Sequence, residues 1–247
     1  MITGKNAVAA LFCAVSLVTN AAAQTPNLLR VQHTVVKPDR LSEYLEIQKE
    51  YAAIYKKAGI PWRFVYRGML ANTYEFFSIT PLDNLAALDN PSPLQKGSTE
   101  GDLARLAARQ QQCVESNRVS IDRPLPDLNL GPATPTPAPY SRLIRSRVRP
   151  GMEDQYIALY KNEIVPALKK GGVTLFRARR VQYGGPRTEF YTGWGITKLA
   201  DLDGPSPLEK ALGIDGSKKM LDKAAALITL SEYMVFRYLP DVSYAPQ

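Results

Sequence analysis

One octapeptide occurs twice in this chain. Asp89-Asn90-Pro91-Ser92-Pro93-Leu94-Gln95-Lys96 returns 114 residues later as Asp203-Gly204-Pro205-Ser206-Pro207-Leu208-Glu209-Lys210. At the same offset Glu75-Phe76-Phe77 meets Glu189-Phe190-Tyr191, and Arg123-Pro124-Leu125-Pro126-Asp127 meets Arg237-Tyr238-Leu239-Pro240-Asp241. Upstream the offset is 112, which pairs Pro38 with Pro150, Tyr44 with Tyr156, Gly59 with Gly171, Phe64 with Phe176 and Arg67 with Arg179. The two extra residues fit the turn-forming stretch Tyr183-Gly184-Gly185-Pro186-Arg187. A repeat of this length is a duplicated folding unit, so the fold must accommodate two copies of one supersecondary pattern.

Within each copy the apolar period switches between two and 3.6 in the order strand, helix, strand, strand, helix, strand. The first copy predicts strands over 30–36, 62–69, 73–80 and 118–121, with helices over 39–57 and 102–114. The second predicts strands over 143–148, 173–181, 188–196 and 232–238, with helices over 150–171 and 217–228. Pro166 should kink the first of these helices or restart it. The order β-α-β-β-α-β is a split βαβ unit, a four-stranded antiparallel sheet with both helices on one face. The expected fold class is therefore α+β, two tandem ferredoxin-like repeats at 24–130 and 141–247 joined by a linker at 131–140. Gly131 to Pro139 contains four prolines and favours an extended path. At ~3.1 Å per residue it spans roughly 28 Å, enough to bring two sheets face to face.

Lys5 is the only charged side chain among the first 23 residues, and an apolar run from Ala7 to Val18 precedes Ala21-Ala22-Ala23. That pattern predicts a signal peptide over 1–23 and a periplasmic or secreted mature protein. No later run is apolar for long enough to span a bilayer, so no membrane association is expected after cleavage. Cleavage takes Lys5 away and lowers the net charge from +8 to +7. Cys113 is then the sole cysteine and matches Leu227 in the other copy, which predicts a buried apolar thiol and no intramolecular disulfide.

Strand parity sorts side chains between the two faces of each sheet. In the second copy Phe176, Ala178, Phe190, Trp194, Met234 and Phe236 should lie under the helices. The opposite face then collects Arg145, Arg147, Arg177, Arg179, Glu189, Tyr191 and Tyr233. The first copy supplies His33, Val35, Val65, Arg67, Glu75, Phe77 and Val119 to the same face. If the sheets close on one another, these arginines line a cavity, and charge left over from pairing with Glu75 and Glu189 predicts a small anionic or aromatic ligand. Acidic side chains or water completing the pairing would be the structural alternative.

Val35-Val36-Lys37-Pro38 and Val148-Arg149-Pro150-Gly151, each a first strand running into a helix opener, are followed by Tyr44 and Tyr156. With the repeat order, they resemble the dimeric α/β-barrel superfamily, which includes antibiotic-biosynthesis monooxygenase-like, NIPSNAP-like and EthD-like families. The resemblance implies two ferredoxin-like units paired sheet to sheet, here fused so that one chain supplies the barrel, as a monomer or homodimer. It also implies a range of roles, from cofactorless oxygenases and haem-handling enzymes to proteins without activity. The expected function is thus a ligand-binding protein, with a monooxygenase-like or haem-handling enzyme as the alternative.

His33 is the only histidine and the weak catalytic candidate, as base or axial haem ligand. Its partner in the other copy is Arg145, so a hydrogen-bonded structural role is equally open. One His, one mature Cys and no acidic cluster predict no metal site, and no cofactor is expected beyond the haem alternative. No Gly-x-Ser-x-Gly elbow, P-loop or dinucleotide fingerprint is present. The third strands, Tyr74-Glu75-Phe76-Phe77 and Thr188-Glu189-Phe190-Tyr191, lack the Lys/Arg-Gly-aromatic pattern of base stacking, so no nucleic-acid partner is expected.

Overall fold

The computed structural model describes residues 26–89, 92–133 and 137–245. The expected signal peptide, Asn90-Pro91 of the repeated octapeptide and 134–136 of the linker lie outside these residues. The first copy contains β1 (Leu28–Val36), α1 (Leu41–Lys57), β2 (Phe64–Leu70), β3 (Glu75–Leu82), α2 (Glu100–Cys113) and β4 (Val114–Pro124). The second contains β5 (Tyr140–Val148), α3 (Glu153–Leu159), α4 (Val165–Lys170), β6 (Phe176–Tyr183), β7 (Glu189–Ile196), α5 (Pro207–Leu227) and β8 (Ile228–Tyr238). Pro166 lies in the first turn of α4, just after a π-turn over Tyr160–Ile164 that is closed by Val165 N–H donating to Tyr160 O.

The repeated octapeptide is a capping device, stronger in the second copy. There the Ser206 backbone N–H donates to Glu209 Oε2 at 2.6 Å, and the Glu209 N–H donates to Ser206 Oγ at 3.2 Å. This reciprocal box starts α5 ten residues before the expected start at Ser217. Gln95 replaces the glutamate in the first copy, and Ser92 caps only the short 3-10 turn Pro93–Lys96.

The strands close into one barrel in the order β1-β3-β2-β8-β5-β7-β6-β4. Each copy supplies an antiparallel four-stranded sheet, β4-β1-β3-β2 and β8-β5-β7-β6, and the copies join where β2 pairs with β8 and β4 with β6. Closure leaves neither sheet an open edge. The helices cover the outside, where the two copies repeat one packing motif. Tyr44 tilts over Phe76 with ring centroids 4.9 Å apart, and Tyr156 over Phe190 at 5.0 Å. The inner faces meet in a separate cluster of Val31, Phe77, Val181, Tyr191 and Phe236.

Strand registers correct the alignment of the copies. Tyr66 stands opposite Phe77, and Arg179 opposite Tyr191, so β2 and β6 are related by 113 residues. One extra residue therefore lies before β6, and only the other lies in the β6–β7 turn. Arg67 corresponds to Arg180, and Phe64 to Arg177. A slip of one residue reverses a strand's faces, and that is what happens to Arg67. It lies on the outer face over the Phe76 ring, with Nε donating to Thr73 O at 2.7 Å, and takes no part in the barrel interior. Val65 also faces outward and packs with the α1 core. Parity on the last strand of each copy is reversed as well. Met234 and Phe236 point into the barrel, whereas Val119 (37% exposed) and Tyr233 (53% exposed) face outward.

Candidate functional site

The barrel interior has two dissimilar ends. At one, β7 carries Glu189, whose side chain has no solvent exposure. Arg118 on β4 grips it with both guanidinium nitrogens, Nη2 to Oε1 at 2.5 Å and Nη1 to Oε2 at 3.4 Å. Tyr191, two residues along β7, donates its hydroxyl to Oε1 at 2.6 Å and accepts from Arg118 Nη2 at 2.9 Å. Arg145 on β5 donates Nη2 to Glu189 Oε2 at 3.1 Å and Nη1 to Glu232 Oε2 on β8 at 3.0 Å. Arg147 approaches Oε2 only to 3.8 Å.

Burial raises the Glu189 pKa, but hydrogen bonds from Arg118, Tyr191 and Arg145 outweigh it and hold the carboxyl at about 2. Burial opposes the charge of Arg145, yet its bonds to Glu189 and Glu232 raise its affinity for the proton. Across this mouth His33 lies with Nε2 2.5 Å from Glu75 Oε1, an approach without hydrogen-bond geometry. Its ring stacks on Phe77 with centroids 4.5 Å apart.

The other end is an apolar cavity of about 200 Å³. Trp62, Phe64, Tyr66, Phe77, Ile79, Leu143 and Phe236 form most of its wall, and Phe77 and Tyr191 stand between it and the ionic mouth. Two charged side chains line it, Arg177 and Arg179 of β6. Arg179 pairs with buried Asp122, which also accepts from Ser120 Oγ at 2.7 Å, and lies 4.0 Å over the Tyr191 ring centroid. Arg177 donates only to carbonyls: Leu130 O, Pro132 O at 2.5 Å and Phe176 O at 3.0 Å. No carboxylate pairs with it among the described residues, and burial lowers its affinity for the proton.

Of the site residues expected from the sequence, Arg145, Arg147, Glu189 and Tyr191 gather at the ionic mouth with His33 and Glu75 nearby. Arg177 and Arg179 belong to the cavity, and Arg67 to neither. Sequence reasoning missed Arg118, Glu232 and Asp122. Their signal was the alternation Arg118-Ser120-Asp122 on β4 and Glu232-Met234-Phe236 on β8. A parity that turns Val119 and Tyr233 inward hides it, whereas both face outward.

No protein-family model and no curated protein matches this sequence. Solved structures do. An anthrone oxidase-like protein superposes with a TM-score of 0.64 at 11% identity over 91% of this chain and 95% of that one. A protein from Lactobacillus acidophilus NCFM described as a "putative monooxygenase" gives 0.58 at 13% identity, over 90% of this chain and 97% of that one. A chlorite dismutase variant from Candidatus Nitrospira defluvii gives 0.53 at 10% identity, over 89% of this chain and 94% of that one. The fold is that of the dimeric α/β barrels. At such identities the likeness reaches the fold and stops there.

The residues of this α/β barrel do not fit haem, the alternative cofactor expected from the sequence. The wall of the cavity offers no His, Cys or Met, and the only histidine, His33, lies beyond Phe77 against Glu75. Burial pushes the Tyr66 hydroxyl up; Tyr191 is likewise raised by burial and by its bond to Glu189, the wrong direction for a phenolate ligand. A volume of about 200 Å³ also falls below the roughly 300–1,000 Å³ of pockets that enclose drug-sized ligands. Among the described residues no three His, Cys, Asp or Glu side chains gather as a metal site, and no helix is long and apolar enough to cross a membrane.

Proposed function

We propose that this is an exported binding protein whose barrel takes a small aromatic carboxylate, with the ring in the apolar cavity and the acid on Arg177. The observation that carries the reading is Arg177, a guanidinium in an aromatic wall that meets only neutral carbonyls. A ligand carboxylate would supply the charge that those carbonyls lack. The volume suits one or two rings, being somewhat larger than the ~150 Å³ void that admits benzene. Aromatic walls also favour flat ligands through offset and edge contacts.

Binding is supported over monooxygenase-like catalysis by the composition of the wall. It contains no carboxylate or imidazole, and the Tyr191 hydroxyl is engaged by Glu189 and Arg118. No lining side chain thus offers a ready base for substrate deprotonation.

Of the two tryptophans of the chain, Trp62 lines the cavity, stacked on Phe64 with ring centroids 4.7 Å apart, whereas Trp194 packs with the helix-side core. Benzoate or 1-naphthoate should therefore change intrinsic fluorescence saturably, and benzyl alcohol more weakly. Arg177→Met should weaken the acids by roughly tenfold or more, the size of a charge-assisted hydrogen bond, while barely affecting the alcohol. An acid that binds parent and Arg177→Met equally, or leaves fluorescence unchanged, overturns the reading. Export is tested separately, by N-terminal sequencing of protein recovered outside the cytoplasm, where the expected first residue is Gln24.

A further inference from the structure

We propose that the ionic mouth holds a second ligand, an oxyanion bound between Arg145 and Arg147 on β5, independently of the aromatic cavity. The acceptors already present are taken. Glu189 Oε1 receives Arg118 and Tyr191, and Oε2 receives Arg118 and Arg145. Arg147 stops 3.8 Å short of that carboxylate, outside hydrogen-bond range. The Nε atoms of both Arg145 and Arg147 are shielded from solvent and have no acceptor among the described residues. Buried donors of this kind are nearly always satisfied, so two on neighbouring arginines mark a missing partner.

Position and charge say what the partner is. Residues two apart on a strand share a face about 7 Å apart, within reach of one small anion. Arg118, Arg145 and Arg147 face two carboxylates, Glu189 and Glu232, which leaves one positive charge in the group. Glu75, the remaining acid of this mouth, lies beside His33 and forms no ion pair with these arginines among the described residues. Water could accept from either Nε but would leave that charge unbalanced. A carboxylate, phosphate or sulfate group does both, and its oxygens match the guanidinium fork. The Arg147 side chain is 43% exposed, so an anion reaches it from solvent without crossing the cavity. The corresponding first-copy residues, His33 and Val35, provide no such fork, so the site exists once.

The test is a thermal melt of the full chain in phosphate, sulfate or acetate, each matched in ionic strength by chloride to remove simple screening. Phosphate or sulfate should raise the parent's Tm above matched chloride, and Arg147→Met should lose that rise. Arg147→Lys, which keeps the charge without the fork, should need about tenfold more anion. The benzoate titration of the other end should be the same in all three proteins, which separates this site from the aromatic one. An equal rise with acetate assigns a carboxylate occupant, and a rise confined to phosphate and sulfate a tetrahedral one. No rise over chloride in the parent, or equal rises in parent and Arg147→Met, overturns the proposal. Should Arg147→Met not fold, phosphorus-31 line broadening of phosphate by parent against Arg147→Lys decides: equal broadening overturns it.

Discussion

The two ends of the barrel solve opposite problems with the same eight strands. The ionic mouth is crowded: one fully buried carboxylate receives two arginines and a tyrosine, and a third arginine finds no oxygen. The cavity end is underfilled, with aromatic walls and one guanidinium that meets only carbonyls. Divergence between the copies produced both. At the mouth His33 corresponds to Arg145, Val35 to Arg147 and Arg118 to Glu232; at the cavity Phe64 corresponds to Arg177 and Tyr66 to Arg179. On the outer faces the Tyr44–Phe76 contact is kept as Tyr156–Phe190, although Gln48 corresponds to Tyr160 and Arg63 to Phe176. Divergence after duplication kept this tyrosine–phenylalanine contact under the helices and changed most of the inward charges.

The largest expected effect tests whether the mouth is a structural ion cluster as well as a binding surface. Glu189→Gln removes the shared counter-charge of Arg118 and Arg145 and should destabilise the fold by about 3–5 kcal/mol, measured by urea unfolding. A loss below about 1 kcal/mol would mean that water already compensates those arginines. The corresponding acid dependence has a definite sign. The folded pKa of about 2 lies below the ordinary 4.5, so this contribution is fully present above about pH 4.5 and lost as pH falls towards 2. On the order of 3 kcal/mol should disappear across that window, and Glu189→Gln should flatten the profile there.

Phe77 separates the ends, stacked on His33 at one side and lining the cavity at the other. Phe77→Ala should cost about 3 kcal/mol and merge the two spaces. Benzoate and phosphate should then compete, where in the parent they bind independently; continued independence would show that Tyr191 and Phe236 suffice as the divider. Ile79→Phe should do the reverse, filling the cavity with a stability change within about 1 kcal/mol and abolishing benzoate binding while phosphate binding persists. If benzoate still binds with unchanged affinity, its site lies elsewhere.

The element order and the duplication were legible because each rests on local patterns: alternating strands, helical spacing and a repeated octapeptide. Closure of the two sheets was only allowed by the proline-rich connection and came from the resemblance to the dimeric α/β barrels. The inner face was legible only in part. A sheet that borders solvent on one side shows its core by parity, but here both faces of both sheets are covered, so apolar residues mark either side. Phe236 lies inside the barrel and Phe190 outside it, under the helices, and both are almost fully buried. The polar residues carried the better signal, since Arg118, Asp122 and Glu232 all point towards partners on the opposite copy or its neighbouring strand. Glu189 betrayed its place by lying two residues from Tyr191, but its partner Arg118 comes from the other copy, 71 residues earlier, a contact no local pattern announces.

The smallest effect concerns Arg67, which sequence alignment placed in the cavity and strand register places outside it. Its Nε closes the β2–β3 turn on Thr73 O at 2.7 Å, and its guanidinium rides over Phe76 at 5.9 Å. Arg180 repeats this arrangement on the β6–β7 turn, with Nε to Arg187 O at 2.9 Å and the guanidinium 5.5 Å from Phe190. Two copies that diverged inside the barrel thus kept the same turn clamp outside it. Arg67→Gln removes one half-exposed hydrogen bond and a weak ring contact, so the expected loss is about 0.5–1 kcal/mol by chemical denaturation. Benzoate and phosphate affinities should not move, because the side chain reaches neither end of the interior. Arg180→Gln should behave the same way, whereas Arg179→Gln, one residue earlier and facing inward, should leave Asp122 buried without its cation and cost several-fold more. Equal losses for Arg179→Gln and Arg180→Gln would mean that β6 is out by one residue, and with it the assignment of Arg177 to the cavity.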